Sequence, residues 1–233
     1  MKRVFAALVG GCLTIAPFAA SMAAVCGKDG TSSATDQVHT SASDHHGSKP
    51  ISEKLKQERA SPYRLGDAIL MLTPYEAERQ RRCFVLAAYS EARGSTQKGM
   101  LAVMWTIVNR VEHPDFPETP CAVIAQKGAF EGMKQGPFRK HLAAIKAGYM
   151  PPAIKAAPGA NAEALSTIED LSFQMMFCNR SADPVKGATY FYAPKPQRQL
   201  GRGAPSWSRQ FVRTARVDEH VFYRDPTSDK AVD

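Results

Sequence analysis

The chain has 233 residues, 44% of them hydrophobic, enough for one medium domain with a real core plus short appendages. Its 30 Lys and Arg outnumber 22 Asp and Glu, for a formal charge of +8. The cations are scattered and no DNA- or RNA-binding motif accompanies them, so an anionic wall or membrane surface is the expected partner and nucleic acid is not.

Met1 to Ala24 combines basic Lys2 and Arg3, an apolar segment from Val4 to Ala20 and the small-residue ending Ala20-Ser-Met-Ala-Ala24, the pattern of a secretory signal peptide. The apolar segment is too short to argue for a permanent span, so no stable membrane anchor is expected after cleavage. Removal of Lys2 and Arg3 leaves 28 cations against 22 anions, or +6. It also removes Cys12, leaving Cys26, Cys83, Cys121 and Cys178 in an oxidising compartment. Four cysteines allow three complete pairings, and one bridge among Cys83, Cys121 and Cys178 is expected. No C-x-x-C pair or histidine at helical ligand spacing points to a metal, and no cofactor is implied.

Residues 25–61 are rich in Ser, Thr, Asp, Gly and His, a composition that buries too little apolar surface to order itself, and they read as a disordered linker. His39, His45 and His46 fall in that solvated stretch. A domain over 62–224 follows, with a flexible tail at 225–233. Leu65, Ile69 and Leu72 stand at helical spacing and predict a lead-in helix over Tyr63 to Leu72.

Pro74 suits the first turn of the next helix, with Glu76 and Glu78 toward its positive end. Its far end, Cys83-Phe-Val-Leu-Ala-Ala-Tyr-Ser-Glu-Ala-Arg-Gly94, carries the residue that most needs explaining. Phe84, Ala87, Ala88 and Glu91 are spaced three, four and seven apart, so the glutamate continues the apolar stripe. Gly94 is the expected C-terminal cap, which leaves Glu91 in the last turn beside unsatisfied carbonyls. Desolvation and the negative helix end both push its pKa up, toward the range that suits a general acid near neutral pH.

A second helix is predicted over Gln97 to Val111, with Asn109 and Arg110 interrupting its apolar face at the end. Three prolines make His113 to Pro120 a loop, and Thr119 caps a short helix through Ala125. Gly128-Ala-Phe-Glu-Gly132 is a small-residue turn able to lie against a ligand. Helices are predicted over Phe138 to Gly148 and Asn161 to Asn179, with the methionines of the latter in the core. Beyond Gly187, Ala-Thr-Tyr-Phe-Tyr has strand propensity, and Phe211 to Val217 with His220 to Tyr223 forms a hairpin turning at Asp218-Glu219. The class is α+β, mainly α, with a small antiparallel β element.

Neither a G-x-S-x-G elbow, a P-loop nor H-E-x-x-H is present, and Gly201-Arg-Gly203 lacks the rest of a dinucleotide fingerprint. What remains is a desolvated glutamate with Tyr190, Tyr192, Trp207 and Tyr223 available to stack on rings, a combination suited to acid catalysis on a saccharide.

The ordered elements Tyr89-Ser-Glu-Ala-Arg-Gly94, Ala102-Val-Met-Trp-Thr-Ile-Val-Asn-Arg-Val111, Gly128-Ala-Phe130, Asp183-Pro-Val-Lys-Gly-Ala-Thr-Tyr-Phe-Tyr-Ala-Pro194, Trp207 and His220-Val-Phe222 resemble the cell-wall hydrolases of the spore-cortex lytic enzyme (SleB/CwlJ) family. The resemblance covers about residues 83 to 223. It implies a lysozyme-like helical domain that cuts the glycan strands of peptidoglycan, with Glu91 matching the catalytic glutamate. Asn109, Phe130, Tyr190, Trp207 and His220 fall on motif positions and are the substrate-binding candidates. Each also has a plainer use: a backbone cap for Asn109, core packing for the aromatics, a satisfied buried imidazole for His220. Ser95 stands where the family commonly has a second acid.

The resemblance favours a lytic transglycosylase, which needs one carboxylate. A hydrolytic muramidase needs a second, for which Asp115, Glu118, Glu131 and Asp183 are candidates undistinguished by spacing. A catalytically silent wall-binding module and a stem-peptide amidase are the rivals from other classes. The first leaves a buried carboxylate unexplained, and the second lacks a metal site or a Cys-His pair.

Overall fold

A computed structural model describes Cys26 and residues 58–134, 136–179 and 181–227; the expected signal peptide, most of the linker and most of the tail lie outside the described residues. The chain divides into two units, Met1–His46 and Gly47–Asp233, and every element below belongs to the second.

The first element corrects the sequence reading. Tyr63 to Leu72 is not a helix but part of a hairpin of β1 (Ser61–Leu65) and β2 (Ala68–Leu72), in antiparallel register from Ser61 opposite Leu72 to Leu65 opposite Ala68. Leu70 and Leu72 face inward while Ile69, expected inside, is 60% exposed. The apolar period is therefore two, and the helical spacing of Leu65, Ile69 and Leu72 is coincidental. Gly66 decides the matter. It sits at φ +61° as the first of two loop residues, the position at which a tight hairpin turn requires glycine, and a Cβ there would lie 2.0 Å from the Glu112 carboxylate.

Helix α1 (Pro74–Ala92) begins with a capping box: Thr73 Oγ1 accepts from Glu76 N–H at 3.2 Å, and Glu76 accepts from Thr73 N–H at 2.8 Å. Such a cap contributes about 1 kcal/mol. The helix stops without the expected glycine cap. Arg93 is right-handed at φ −60°, Gly94 is absent from the glycines at positive φ, and the chain turns through Ser95 N–H donating to Ala92 O. Three residues later Thr96 caps α2 (Gln97–Glu112), accepting from Gly99 N–H. Helix α2 runs through Asn109 and Arg110 to Glu112, one residue past the expected end, and both side chains are buried.

Thr119 caps α3 (Pro120–Ala125) as expected. Single 3-10 turns at Gly132–Lys134 and Gly136–Phe138 lead into α4 (Arg139–Lys146). Helix α5 (Ala160–Phe173) continues as a π-helical turn, Gln174–Cys178, that ends on Asn179 at φ +48°. The Asn179 side chain accepts from Gly66 N–H at 3.2 Å, tying the hairpin to this helix end. Helix α1 is central, packing on α2, α3 and α5, and its Ala77, Cys83, Phe84, Ala87 and Ala88 are fully buried. Met175 and Met176 are core residues, as the sequence suggested.

The remainder builds a three-stranded antiparallel sheet: β3 (Tyr190–Tyr192), then α6 (Pro194–Gln199), then β4 (Val212–Val217) and β5 (His220–Arg224), with β5 in the middle. Tyr190 pairs with Tyr223 and Tyr192 with Val221, so these four share one face. Phe191, His220 and Phe222 take the other, where Phe222 packs with Ala102, Val185, Ala188 and Val217. The fold is α+β and mainly α, with two small antiparallel sheets.

A disulfide joins Cys83 on α1 to Cys121 on α3, with Cα atoms 5.2 Å apart. It closes a loop of 38 residues, and such a closure stabilises a fold by roughly 2–4 kcal/mol. The double substitution Cys83→Ala/Cys121→Ala is expected to lower the unfolding free energy by about that amount in urea titration. An unchanged midpoint would show that the bridge adds nothing to α1.

Candidate active site

Glu91 lies in the last turn of α1, one turn beyond the buried Ala87 and Ala88, and is half-buried. Its Oε1 accepts from the backbone N–H of Gly132 at 2.7 Å. Burial raises its pKa; the Gly132 bond opposes that shift, and the negative charge of nearby Glu131 adds to it. A carboxyl in this state holds its proton to higher pH than a free glutamate, as a general acid requires. The loop must come close to make the bond. A Cβ on Gly132 would lie 2.8 Å from Ser90 O and 2.9 Å from Glu91 Oε1, so only glycine fits without displacing the backbone from the carboxylate.

Of the four candidate second carboxylates, Glu131 is the one that acts on Glu91. Its own carboxylate is exposed and paired with Arg202 at 3.2 Å. Asp183 is engaged in shaping its loop, accepting from Val185 N–H at 2.7 Å, Gly187 N–H at 2.6 Å and Asn109 Nδ2 at 3.2 Å. The Asp115 side chain is 82% exposed and Glu118 is exposed.

The aromatic candidates separate into two layers. Tyr190, Tyr192 and Trp207 are half-buried and form a continuous group with Tyr223 and Phe211: Trp207 lies 5.3 Å from Tyr190, 6.0 Å from Tyr192 and 5.4 Å from Tyr223 between ring centroids. Phe130 and His220 are buried, Phe130 against Phe191 and His220 between Phe191 and Phe222. Burial lowers the His220 pKa, with Glu219 and Asp218 opposing, and its Nδ1 has no hydrogen-bond partner, so the ring is neutral at neutral pH. Asn109 is buried, and its amide donates to Ala188 O at 3.0 Å as well as to Asp183.

Sequence reasoning missed Arg110. It is buried on α2, its Nε donates to Thr189 O at 2.6 Å, and its guanidinium lies 5.3 Å from the Phe116 and Phe130 ring centres and 5.7 Å from that of Tyr190. Burial brings its pKa down to about 10, so it remains a cation at neutral pH, and its Nη1 is buried without a partner. The cation thus sits behind both the Phe130 loop that reaches Glu91 and the Tyr190 wall. Cation–π contacts of this desolvated kind contribute roughly 1–2 kcal/mol each. A cation two residues from a helix end reads as solvated in sequence, and only the rings of Phe116, Phe130 and Tyr190 converging on it show otherwise.

The raised pKa of Glu91 has a consequence for stability. The native state holds this proton more tightly than the unfolded chain, whose glutamate titrates at about 4.3, so charging Glu91 weakens the fold as pH rises, with the full penalty present above its native pKa. Glu91→Gln, which keeps an acceptor for Gly132, is expected to be more stable than wild type near about pH 7 and no more stable near about pH 3, by chemical denaturation. An equal difference at both would mean that the carboxylate is not desolvated.

Comparison with known proteins supplies the family. A family model described as cell wall hydrolase matches residues 94–223, a span that begins three residues after Glu91. A spore cortex-lytic enzyme of Halalkalibacterium halodurans is 29% identical over 136 residues, 58% of this chain and 32% of that protein, so the chain spans about a third of that relative's length. Two solved structures are similar at 22% identity and a TM-score of 0.38: the catalytic domain of the Bacillus cereus SleB protein, covering 64% of this chain and 91% of that one, and that of the germination-specific lytic transglycosylase SleB from Bacillus anthracis, covering 63% and 94%. With more than half of its residues matched by the family model, the chain belongs to the cell wall hydrolase family.

Proposed function

We propose that the protein is an exported enzyme that cleaves the bond between N-acetylmuramic acid and N-acetylglucosamine in peptidoglycan, acting as a lytic transglycosylase with Glu91 as its acid and base. The observation that carries this reading is the desolvated Glu91 at the end of α1, its carboxylate held by Gly132 N–H and its pKa raised, in a member of the cell wall hydrolase family. The Glu91 carboxyl gives its proton to the glycosidic oxygen as the C1–O bond breaks and the bonding electrons pass to the leaving sugar. The resulting carboxylate then takes the proton of the muramic acid C6 hydroxyl while that oxygen bonds to C1, closing a 1,6-anhydro ring. The proton balance closes on one residue. Gly132 N–H stabilises the carboxylate present between the two transfers.

Tyr190 and Trp207, half-buried and adjacent, are the surfaces offered to a sugar ring. Asn109, Phe130 and His220 act from behind, Asn109 by fixing the Asp183 loop, Phe130 by packing the loop that carries Gly132, and His220 by backing Phe191. Export rests on the signal-peptide pattern of Met1 to Ala24 and on the location of the substrate; among the described residues no helix is long and apolar enough to cross a membrane.

One observation favours a second reading. Glu131 is close enough to Glu91 to raise its pKa, and as a second carboxylate it could direct water to C1 in a hydrolytic muramidase. Mass spectrometry of muropeptides released from sacculi separates the two. Transglycosylation gives 1,6-anhydro ends and hydrolysis gives reducing ends. Glu91→Gln is expected to fold and to lose at least about a hundredfold in release rate, the scale of a general acid; full activity in that variant would remove Glu91 from the chemistry. Glu131→Gln is expected to keep the anhydro product, and its conversion to an inactive protein that had made reducing ends would establish the muramidase instead.

A further inference from the structure

Beyond α6, the sheet borders a hollow of about 480 Å³ lined by Pro194, Lys195, Arg198, Arg216, Asp218 and Glu219, a volume within the range of ligand pockets. None of these residues is among those that hold Glu91. Three cations converge here, and among the described residues none of Lys195, Arg198 and Arg216 forms an ion pair, although two carboxylates line the same space. The acidic edge is built rather than loose. Asp218 sits at the β4–β5 turn with φ +49°, and its Oδ2 accepts from both Thr96 N–H at 2.9 Å and Thr96 Oγ1 at 2.8 Å. The start of α2 comes so near that a Cβ on Gly99 would lie 2.3 Å from the same oxygen. Asp218 is therefore committed to α2 and cannot swing across to neutralise the cations, which leaves Glu219 as the acid free to face a ligand.

The register connects this hollow to the proposed glycan surface. Arg216 and Tyr192 both pair with Val221, so they stand in one row across the sheet and on the face that carries Tyr190 and Tyr223. A glycan strand stacked on Tyr190 and Trp207 would then run beside the hollow, and whatever projects sideways from the sugar would enter it.

We propose that the hollow is a subsite for the stem peptide of peptidoglycan, Lys195, Arg198 and Arg216 receiving its carboxylates and Glu219 its side-chain ammonium group; this rests on the glycan-cleaving reading above. The mixture of signs selects this occupant over a wall polyphosphate. A polyanion would meet Asp218 and Glu219 as repulsion, whereas a stem peptide presents several carboxylates together with a free amine.

The test is a binding isotherm with a soluble stem tetrapeptide bearing a free side-chain amine, which needs no turnover. Wild type and Glu91→Gln are expected to bind alike, and Lys195→Gln/Arg198→Gln/Arg216→Gln about tenfold or more weakly. Acetylation of the peptide amine is expected to weaken binding to wild type and to leave binding to Glu219→Gln unchanged. Equal affinity of the triple variant, no effect of acetylation on wild type, or tighter binding of an oligomeric ribitol phosphate than of the tetrapeptide overturns the assignment. Glycan strands left uncut by wild type would overturn the glycan reading, and full lytic activity of Glu91→Gln only the role of Glu91; the isotherm decides the subsite independently of both.

Discussion

The hydrogen bond from Gly132 N–H to the Glu91 carboxylate, 2.7 Å long, joins segments 41 residues apart, and the geometry of the candidate site depends on it. One partner comes from α1, the helix at the centre of the bundle, whose buried stripe of Phe84, Ala87 and Ala88 leads to Glu91. The other comes from a loop that must be glycine where it passes the carboxylate. The two effects oppose one another. Burial holds the proton on, and the N–H favours its release, so Glu91 is poised to give the proton and take one back. Exposure of the helix end would return it to an ordinary glutamate, and deeper burial without the N–H would make the carboxylate too costly to form.

Keeping that loop in place falls to residues that do not touch the Glu91 carboxylate. Arg110, desolvated on α2, places its guanidinium against Phe130 of the Glu91 loop and against Phe116 and Tyr190. Its neighbour Asn109 binds Asp183 and Ala188 on the segment that leads into β3. Consecutive residues of one helix thus fix both the acid's loop and the aromatic wall. The Cys83–Cys121 bridge secures the same helix bundle by tying α1 to α3.

Much of this was legible in the sequence because it is local. The apolar stripe ending in Glu91, the capping of α3 by Thr119 and the Asp218-Glu219 turn are all set by residues within a few positions of one another. Leu65, Ile69 and Leu72 mimic a helical face, whereas Gly66 at φ +61° turns the chain into a hairpin that packs closely against Glu112 at the end of α2. Gly94 looks like a cap, but the short passage from Ala92 to the Thr96 cap turns without a left-handed residue. Likewise Glu131, Gly132 and Arg110 owe their roles to partners far along the chain, and no periodicity records such meetings.

The central claim is that the protonated form of Glu91 drives glycan cleavage, and its most direct test compares two pH dependences. The Glu91 carboxyl carbon can be titrated by NMR in the intact protein, and the rate of muropeptide release can be followed over the same range. The expected result is that activity falls with rising pH along a limb whose midpoint coincides with the measured Glu91 pKa, itself above that of a free glutamate. A Glu91 pKa at or below the ordinary value, or an activity limb displaced from it, would contradict the assignment.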